Sequence, residues 1–213
     1  MDVYTTEEQQ VEAIKKWWRE NKWSLIGGVM IGIAVLWGGR SWIANQHSHA
    51  ESGSELYQVM MGKLASGQLD DAAADGAILL GQYLDTPYAA LASMAMAKIN
   101  YQKGDVAAAK SHLHWVLDNS DEEVVKLDAR LRLARLLLEE KDDSGALALL
   151  ANVDAGSFAA AYDELRGDIY AASGDTEQAR AAYTRALATL APNAPSRGLL
   201  RVKLDDLGGA QEG

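Results

Sequence analysis

Apolar positions along the chain fall into two regimes. From Trp23 to Ala44 they are nearly uninterrupted, and from about residue 54 onward they recur at helical spacing between short polar breaks. The first stretch holds no charge from Trp23 to Gly39, and Arg40 stands close to its outer end. At about 1.5 Å per residue a helix over residues 23–44 reaches about 33 Å, enough for a hydrocarbon core of about 30 Å. Trp23 at one edge, with Trp37 and Trp42 at the other, matches an interfacial aromatic belt. A buried helix of a water-soluble domain is the rival, but it rarely needs tryptophan at both ends and five internal glycines. The pattern therefore predicts a single transmembrane helix.

Lys15, Lys16, Arg19 and Lys22 precede this stretch, whereas Arg40 is the only basic residue between it and Lys63. Basic residues beside a span stay on the cytoplasmic side, so residues 1–22 are expected inside and the rest exported. A cleaved signal peptide is the alternative, with Ser48-His49-Ala50 as a small-x-small site. That site lies far beyond the apolar run, and an uncleaved anchor is the preferred reading. Thr5 and Glu8 form a possible capping box for a short amphipathic helix, whose Trp17 and Trp18 suit the inner leaflet. Within the span, Gly28 and Gly32 make a G-x-x-x-G pair, which lets helix backbones approach closely in lipid. With no proline before Pro87, the helix can continue through residues 45–53 into the next segment, with Gly53 as its weak point.

The second regime is helical throughout. Breaks fall at Ser66-Gly67-Gln68, Asp85-Thr86-Pro87, Lys103-Gly104-Asp105, Asn119-Ser120-Asp121, Lys141-Asp142-Asp143, Ala155-Gly156, Ser173-Gly174-Asp175 and between Pro192 and Pro195. No stretch carries the two-residue period of a strand. Gly167, Tyr170, Gly174, Ala179, Tyr183 and Ala186 occupy the small, aromatic, turn, small, aromatic and small positions of a tetratricopeptide repeat. Weaker copies place Ala72, Ala109, Ala146 and Ala179 in one register, and Met60, Ala97, Ala134 and Gly167 in another. In the third copy Lys141 replaces the turn glycine, and residues 142–144 are expected to carry the bend. The predicted fold is all-α: one membrane helix, then four stacked helix pairs over 54–213, closed by a polar-faced capping helix over 194–207. A plain helical bundle is the rival, and the recurring alanines favour the solenoid.

Charge divides unevenly. The first 44 residues balance five acidic against five basic groups, so the net charge of −10 belongs to the remainder, with 25 acidic and 15 basic residues. An acidic domain of this kind excludes nucleic acid as a partner. Cysteine is absent, which fits export without requiring it. The histidine pairs His47-x-His49 and His112-x-His114 point to different helix faces and make poor chelates. Asp121-Glu122-Glu123 and Asp142-Asp143 lie at turns and helix starts, where they suit the helix dipole. No metal, cofactor or catalytic constellation is expected.

Binding is the chemistry left. First helices of stacked pairs line a concave face, which here would show Tyr57, Met61, Leu64, Leu91, Met94, Lys98, Tyr101, Leu131, Arg135 and Leu138. Flexible methionine and amphipathic tyrosine suit contact with varied or unfolded chains. The competing reading makes several of them core residues of degenerate repeats. Repeats that clamp a peptide carboxylate place lysine where this chain has Met94, so such a clamp is not expected.

The N-terminal run from Glu7 to Trp18, the Gly-rich span ending Gly38-Gly39-Arg40-Ser41-Trp42, Leu133-Ala134-Arg135-Leu136 and Asp163-Glu164-Leu165-Arg166-Gly167-Asp168 together resemble the YfgM family. This is the ancillary tetratricopeptide subunit of the bacterial SecYEG translocon, and the resemblance covers essentially the full length. Trp17 and Trp18 stand where relatives often carry Phe. The resemblance implies a single-pass inner-membrane protein with a periplasmic repeat domain. It would act beside SecYEG and the chaperone PpiD on newly translocated, unfolded clients, as a non-catalytic adaptor. A structural or self-assembling envelope scaffold unrelated to secretion is the alternative.

Overall fold

The computed structural model describes residues 7–209, and all of its regular structure is helical. The Thr5 end of the expected capping box and the side chain of Trp42 lie outside the described residues. The helices are α1 (Glu7–Ala65), α2 (Leu69–Gln82), α3 (Pro87–Gln102), α4 (Val106–Asn119), α5 (Glu123–Glu139), α6 (Asp143–Leu150), α7 (Ala159–Ala172), α8 (Thr176–Thr189) and α9 (Ser196–Gly209). A short 3₁₀ turn, Gly156–Phe158, precedes α7. The chain divides into two compact units, residues 1–52 and 53–213.

The described residues of the first unit lie on α1, which carries an uncovered apolar stretch. Gln10–Arg40 is long and apolar enough to cross a membrane, and none of its apolar window is buried by protein. Trp23 and Trp37 are among its most exposed side chains, and so are Val35 and Leu36. An apolar surface this continuous is stable only when something other than water covers it. A Cβ added at Gly28 or Gly32 would meet nothing within 4 Å among the described residues.

In the second unit the last turns of α1 pair with α2, then α3 with α4, α5 with α6, and α7 with α8. Consecutive pairs stack, and α9 packs on α8. The expected alanine register is the packing register. Ala72, Ala109, Ala146 and Ala179 are fully buried where the helices of each pair cross. Met60, Ala97, Ala134 and Gly167 face them, also buried. Except at Met60 in the first pair, these residues are small and let the backbones close, and the flanking leucines fill the layers between pairs.

The four intra-pair turns share one design. In each, the amide three residues past the helix bonds back across the last turn: Gln68 to Lys63, Asp105 to Asn100, Asp142 to Leu137 and Asp175 to Tyr170, at 2.9 Å in every case. This is the Schellman arrangement, which requires a left-handed residue just before the returning amide. Gly67, Gly104 and Gly174 supply it with φ of 77°, 83° and 80°. In the third turn Lys141 adopts φ 63°, so the bend stays at Lys141 and is not displaced to residues 142–144. The next helix fixes this outcome: Asp142 accepts from the Gly145 amide at 2.9 Å, as Asp105 and Asp175 do from Ala108 and Gln178. The lysine is held in a conformation disfavoured for a residue with a Cβ. Lys141→Gly is therefore expected to raise stability by about 1 kcal/mol, read as a higher thermal midpoint.

Two other expectations are corrected. α1 continues through residues 45–53 as expected, but Gly53 is not its weak point; it is buried, and a Cβ there would lie 3.1 Å from Tyr83 Cδ1 and 3.4 Å from Tyr88 Cδ2. It is a close-packing glycine. The capping helix starts two residues later than expected, after Pro195, and its outer face is not wholly polar. Leu200 is buried against α8, while Leu199 and Val202 stand exposed.

The Leu165-Arg166-Gly167-Asp168 motif holds the last repeat together. Arg166 bonds the Leu150 carbonyl at the end of α6 and pairs with Asp163 at 3.0 Å. Asp168 accepts from the Tyr183 hydroxyl of α8 at 2.8 Å and from Lys203 of α9 at 2.7 Å. Burial pulls the Lys203 ammonium down, but Asp168 and Glu164 more than offset it and hold its pKa above the ordinary lysine value.

Candidate protein-binding groove

First helices present the candidate residues. Tyr57, Met61 and Leu64 lie on the last turns of α1, Leu91, Met94, Lys98 and Tyr101 along α3, and Leu131, Arg135 and Leu138 along α5. Eight of the ten come together. Tyr57, Met61, Leu64, Leu91, Met94 and Lys98 line one hollow of about 330 Å³, joined there by Val124, Asp128, Arg132 and Phe158. Lys98, Tyr101 and Arg135 line a second of about 200 Å³, with Arg132, Leu136 and Glu139. Lys98 and Arg132 belong to both, so the hollows form one groove across three repeats.

Leu131 and Leu138 do not line it. Leu131 is 2% exposed and packs with Leu127, Tyr162 and Leu165, and Leu138 is half-buried against that cluster. In the third pair the helix turns these positions towards the fourth pair, so they serve the core. Leu64 and Met94 are also largely buried and contribute only an edge to the groove.

The wall is apolar near α1 and charged near α5. Tyr57 stacks at a tilt on Tyr88, with centroids 5.9 Å apart, and burial raises its hydroxyl pKa although Arg132 acts in the opposite sense. Arg132 is paired with Asp128 at 2.8 Å. The Tyr101 hydroxyl donates to both Glu139 oxygens, at 3.1 and 3.0 Å, and that carboxylate raises its pKa. Lys98 and Arg135 have no ion-pair partner among the described residues.

Sequence reasoning missed Val124, Arg132 and Phe158. Arg132 lies one turn before Arg135 on the same helix, a signal that spacing could have found. Phe158 had none, because it sits in the irregular segment that follows the shortened α6. Of the histidines, His112 has a structural role: its Nδ1 lies 3.2 Å from Ser93 Oγ, which donates to the His112 carbonyl at 3.0 Å and ties α3 to α4. Burial lowers the His112 pKa, favouring the neutral ring.

The sequence profile of the tetratricopeptide repeat-like domain matches residues 15–209. The Escherichia coli K12 protein named ancillary SecYEG translocon subunit is 32% identical over 183 residues, covering 86% of this chain and 88% of that protein. Its namesake in Haemophilus influenzae is 30% identical over 182 residues, covering 84% and 88%. That of Aggregatibacter actinomycetemcomitans is 30% identical over 210 residues, covering 96% and 100%. These names describe a translocon accessory component and carry no catalytic activity. Repeat register, uncovered apolar helix and full-length likeness agree, and the chain belongs to the tetratricopeptide repeat-like family of ancillary SecYEG translocon subunits.

Proposed function

We propose that this chain is a membrane-tethered, non-catalytic adaptor that holds a PpiD-like periplasmic chaperone, or an unfolded client, beside the SecYEG translocon. Residues 1–22 are cytoplasmic, 23–44 cross the inner membrane, 45–53 connect, and 54–213 form the periplasmic repeat domain. Basic residues 15–22 set that orientation. The observation that carries the reading is the groove of Tyr57, Met61, Leu91, Met94 and Tyr101, an adaptable apolar surface on a chain with its own anchoring helix. Tethering raises local concentration at the exit site, so each contact can be individually weak.

Co-purification of the full chain from detergent tests the reading. Translocon subunits and a PpiD-like chaperone are expected in the eluate; recovery of the chain alone or as a self-assembly would favour an envelope scaffold. A reporter fused after Gly213 should read as periplasmic, and a cytoplasmic signal would sink the model. Gly28 and Gly32 are assigned the translocon contact. Gly28→Leu with Gly32→Leu should cut SecYEG recovery severalfold while the span still inserts, because bulky residues hold paired helices apart. Recovery of the chaperone should persist.

A further inference from the structure

The groove has a charge opposite to that of the domain that carries it. Outside it the second unit is strongly acidic, yet its two joined hollows hold Lys98, Arg132 and Arg135 against only Asp128 and Glu139. The two carboxylates are already engaged, Asp128 with Arg132 and Glu139 with the Tyr101 hydroxyl. Among the described residues Lys98 and Arg135 are left without an ion-pair partner, and both line the same hollow. They are also equivalent in register, since each directly follows the small close-contact residue of its repeat, Ala97 or Ala134. In the preceding repeat the same position is Met61, and in the last it is Asp168, which is occupied by Tyr183 and Lys203. Lys98 therefore stands where the two hollows join and Arg135 lies in the second, while Tyr57, Met61 and Leu91 line the first.

We propose that the groove selects polypeptide segments in which acidic side chains are interspersed with apolar ones. Carboxylates meet Lys98 and Arg135, and a neighbouring aromatic or aliphatic side chain lies against Tyr57, Met61 and Leu91. The inference rests on the groove being the binding surface and adds what it selects. Two arguments favour this occupant. Basic segments would gain from the acidic exterior but meet two unneutralised cations on entry, a like-charge cost. Neutral apolar segments would bury Lys98 and Arg135 without a partner, a desolvation cost that a carboxylate removes. Recognition differs from a terminal carboxylate clamp, because the clamp position is Met94 and the cations lie one turn further on, at Lys98, and in the next repeat, at Arg135. Side-chain carboxylates anywhere in a chain can satisfy them.

The test uses the full chain in detergent micelles and three fluorescein-labelled peptides of one design. All carry the same leucine and tyrosine residues, with the intervening positions Glu, Gln or Lys. Fluorescence anisotropy at low salt should show the Glu peptide binding about tenfold more tightly than the Gln peptide, and the Lys peptide most weakly. The preference should shrink as salt rises. Lys98→Glu with Arg135→Glu should abolish or invert it, while Lys98→Arg with Arg135→Lys should retain it; circular dichroism of both variants should match the parent. Tyr57→Ala with Met61→Ala should weaken the Glu and Gln peptides by the same factor. Equal binding of all three peptides, still weakened by Tyr57→Ala with Met61→Ala, would overturn the acidic selectivity and leave the groove reading intact. Binding indifferent to both the apolar and the charge variants would overturn both.

Discussion

Tyr162→Ala is expected to be the most damaging single substitution in the repeat domain, costing about 3–5 kcal/mol. Tyr162 is fully buried among Leu127, Leu131, Ala134, Leu150 and Ile169, where the third and fourth pairs meet. Its hydroxyl donates to the Leu127 carbonyl at 3.1 Å, in a buried bond that joins α7 to α5. Removal of the ring leaves a cavity that helices held by neighbours on both sides cannot close. Stability in a solenoid is a sum over neighbouring pairs, so the loss should be local. Hydrogen exchange of the full chain should show α7, α8 and α9 losing protection before α2 to α4 do. Tyr162→Phe is the control and should cost only about 1 kcal/mol, since it removes the hydrogen bond and keeps the ring. Equal effects of the two variants would mean that the ring's packing matters little.

Gly167→Ala should cost about 3 kcal/mol even though alanine is the better helix former. A Cβ at Gly167 would overlap Cε1 and Cδ1 of Tyr183 and lie 2.9 Å from its Cζ. The ring cannot swing aside, because its hydroxyl is held by Asp168 and the Lys203 ammonium lies 5.8 Å from its centroid. Either α7 and α8 separate or the Asp168–Tyr183–Lys203 connection breaks, and α9 loosens with it. Gly62→Ala, in the interior of α1, supplies the comparison. Nothing lies within 4 Å of a Cβ there, so that change should be neutral or stabilising by up to about 1 kcal/mol. A thermal midpoint for Gly167→Ala at or above that of the parent would refute the close-approach role of this glycine.

The repeat register was readable because its carriers are local. Ala179 follows its turn at a set distance, and the Gly174-Asp175 step marks a helix end and a helix start together, so periodicity and turn chemistry identify the packing face. The third turn shows the limit of that reading. A lysine in place of glycine suggested that the bend had moved, but the Asp142 cap and the Schellman amide hold the chain there, and the backbone takes the strain at Lys141. The groove was legible in part. Eight of its ten expected residues line the hollows because the concave face of stacked first helices follows from the register. Leu131 failed because the third pair is itself irregular: its second helix, α6, ends after eight residues, where α2, α4 and α8 each run for fourteen, and Leu131 packs with Tyr162 and Leu165 of α7.

By itself, then, the amino-acid order determined the features set within one or two helical turns: the apolar span and its basic flank, most of the helix breaks, the alanine crossings and the all-α class. Tertiary structure alone decided which apolar residues face the groove and which the core, since Met94 and Leu131 share a register and differ only in what packs beyond them. It also decided the partners of the charges. Arg132 and Glu139 are committed to Asp128 and Tyr101, whereas Lys98 and Arg135 stay uncommitted. The Arg132–Asp128 pair spans one turn of α5 and is local, but the Tyr101–Glu139 bond joins α3 to α5 across two repeats, a separation that no local pattern encodes.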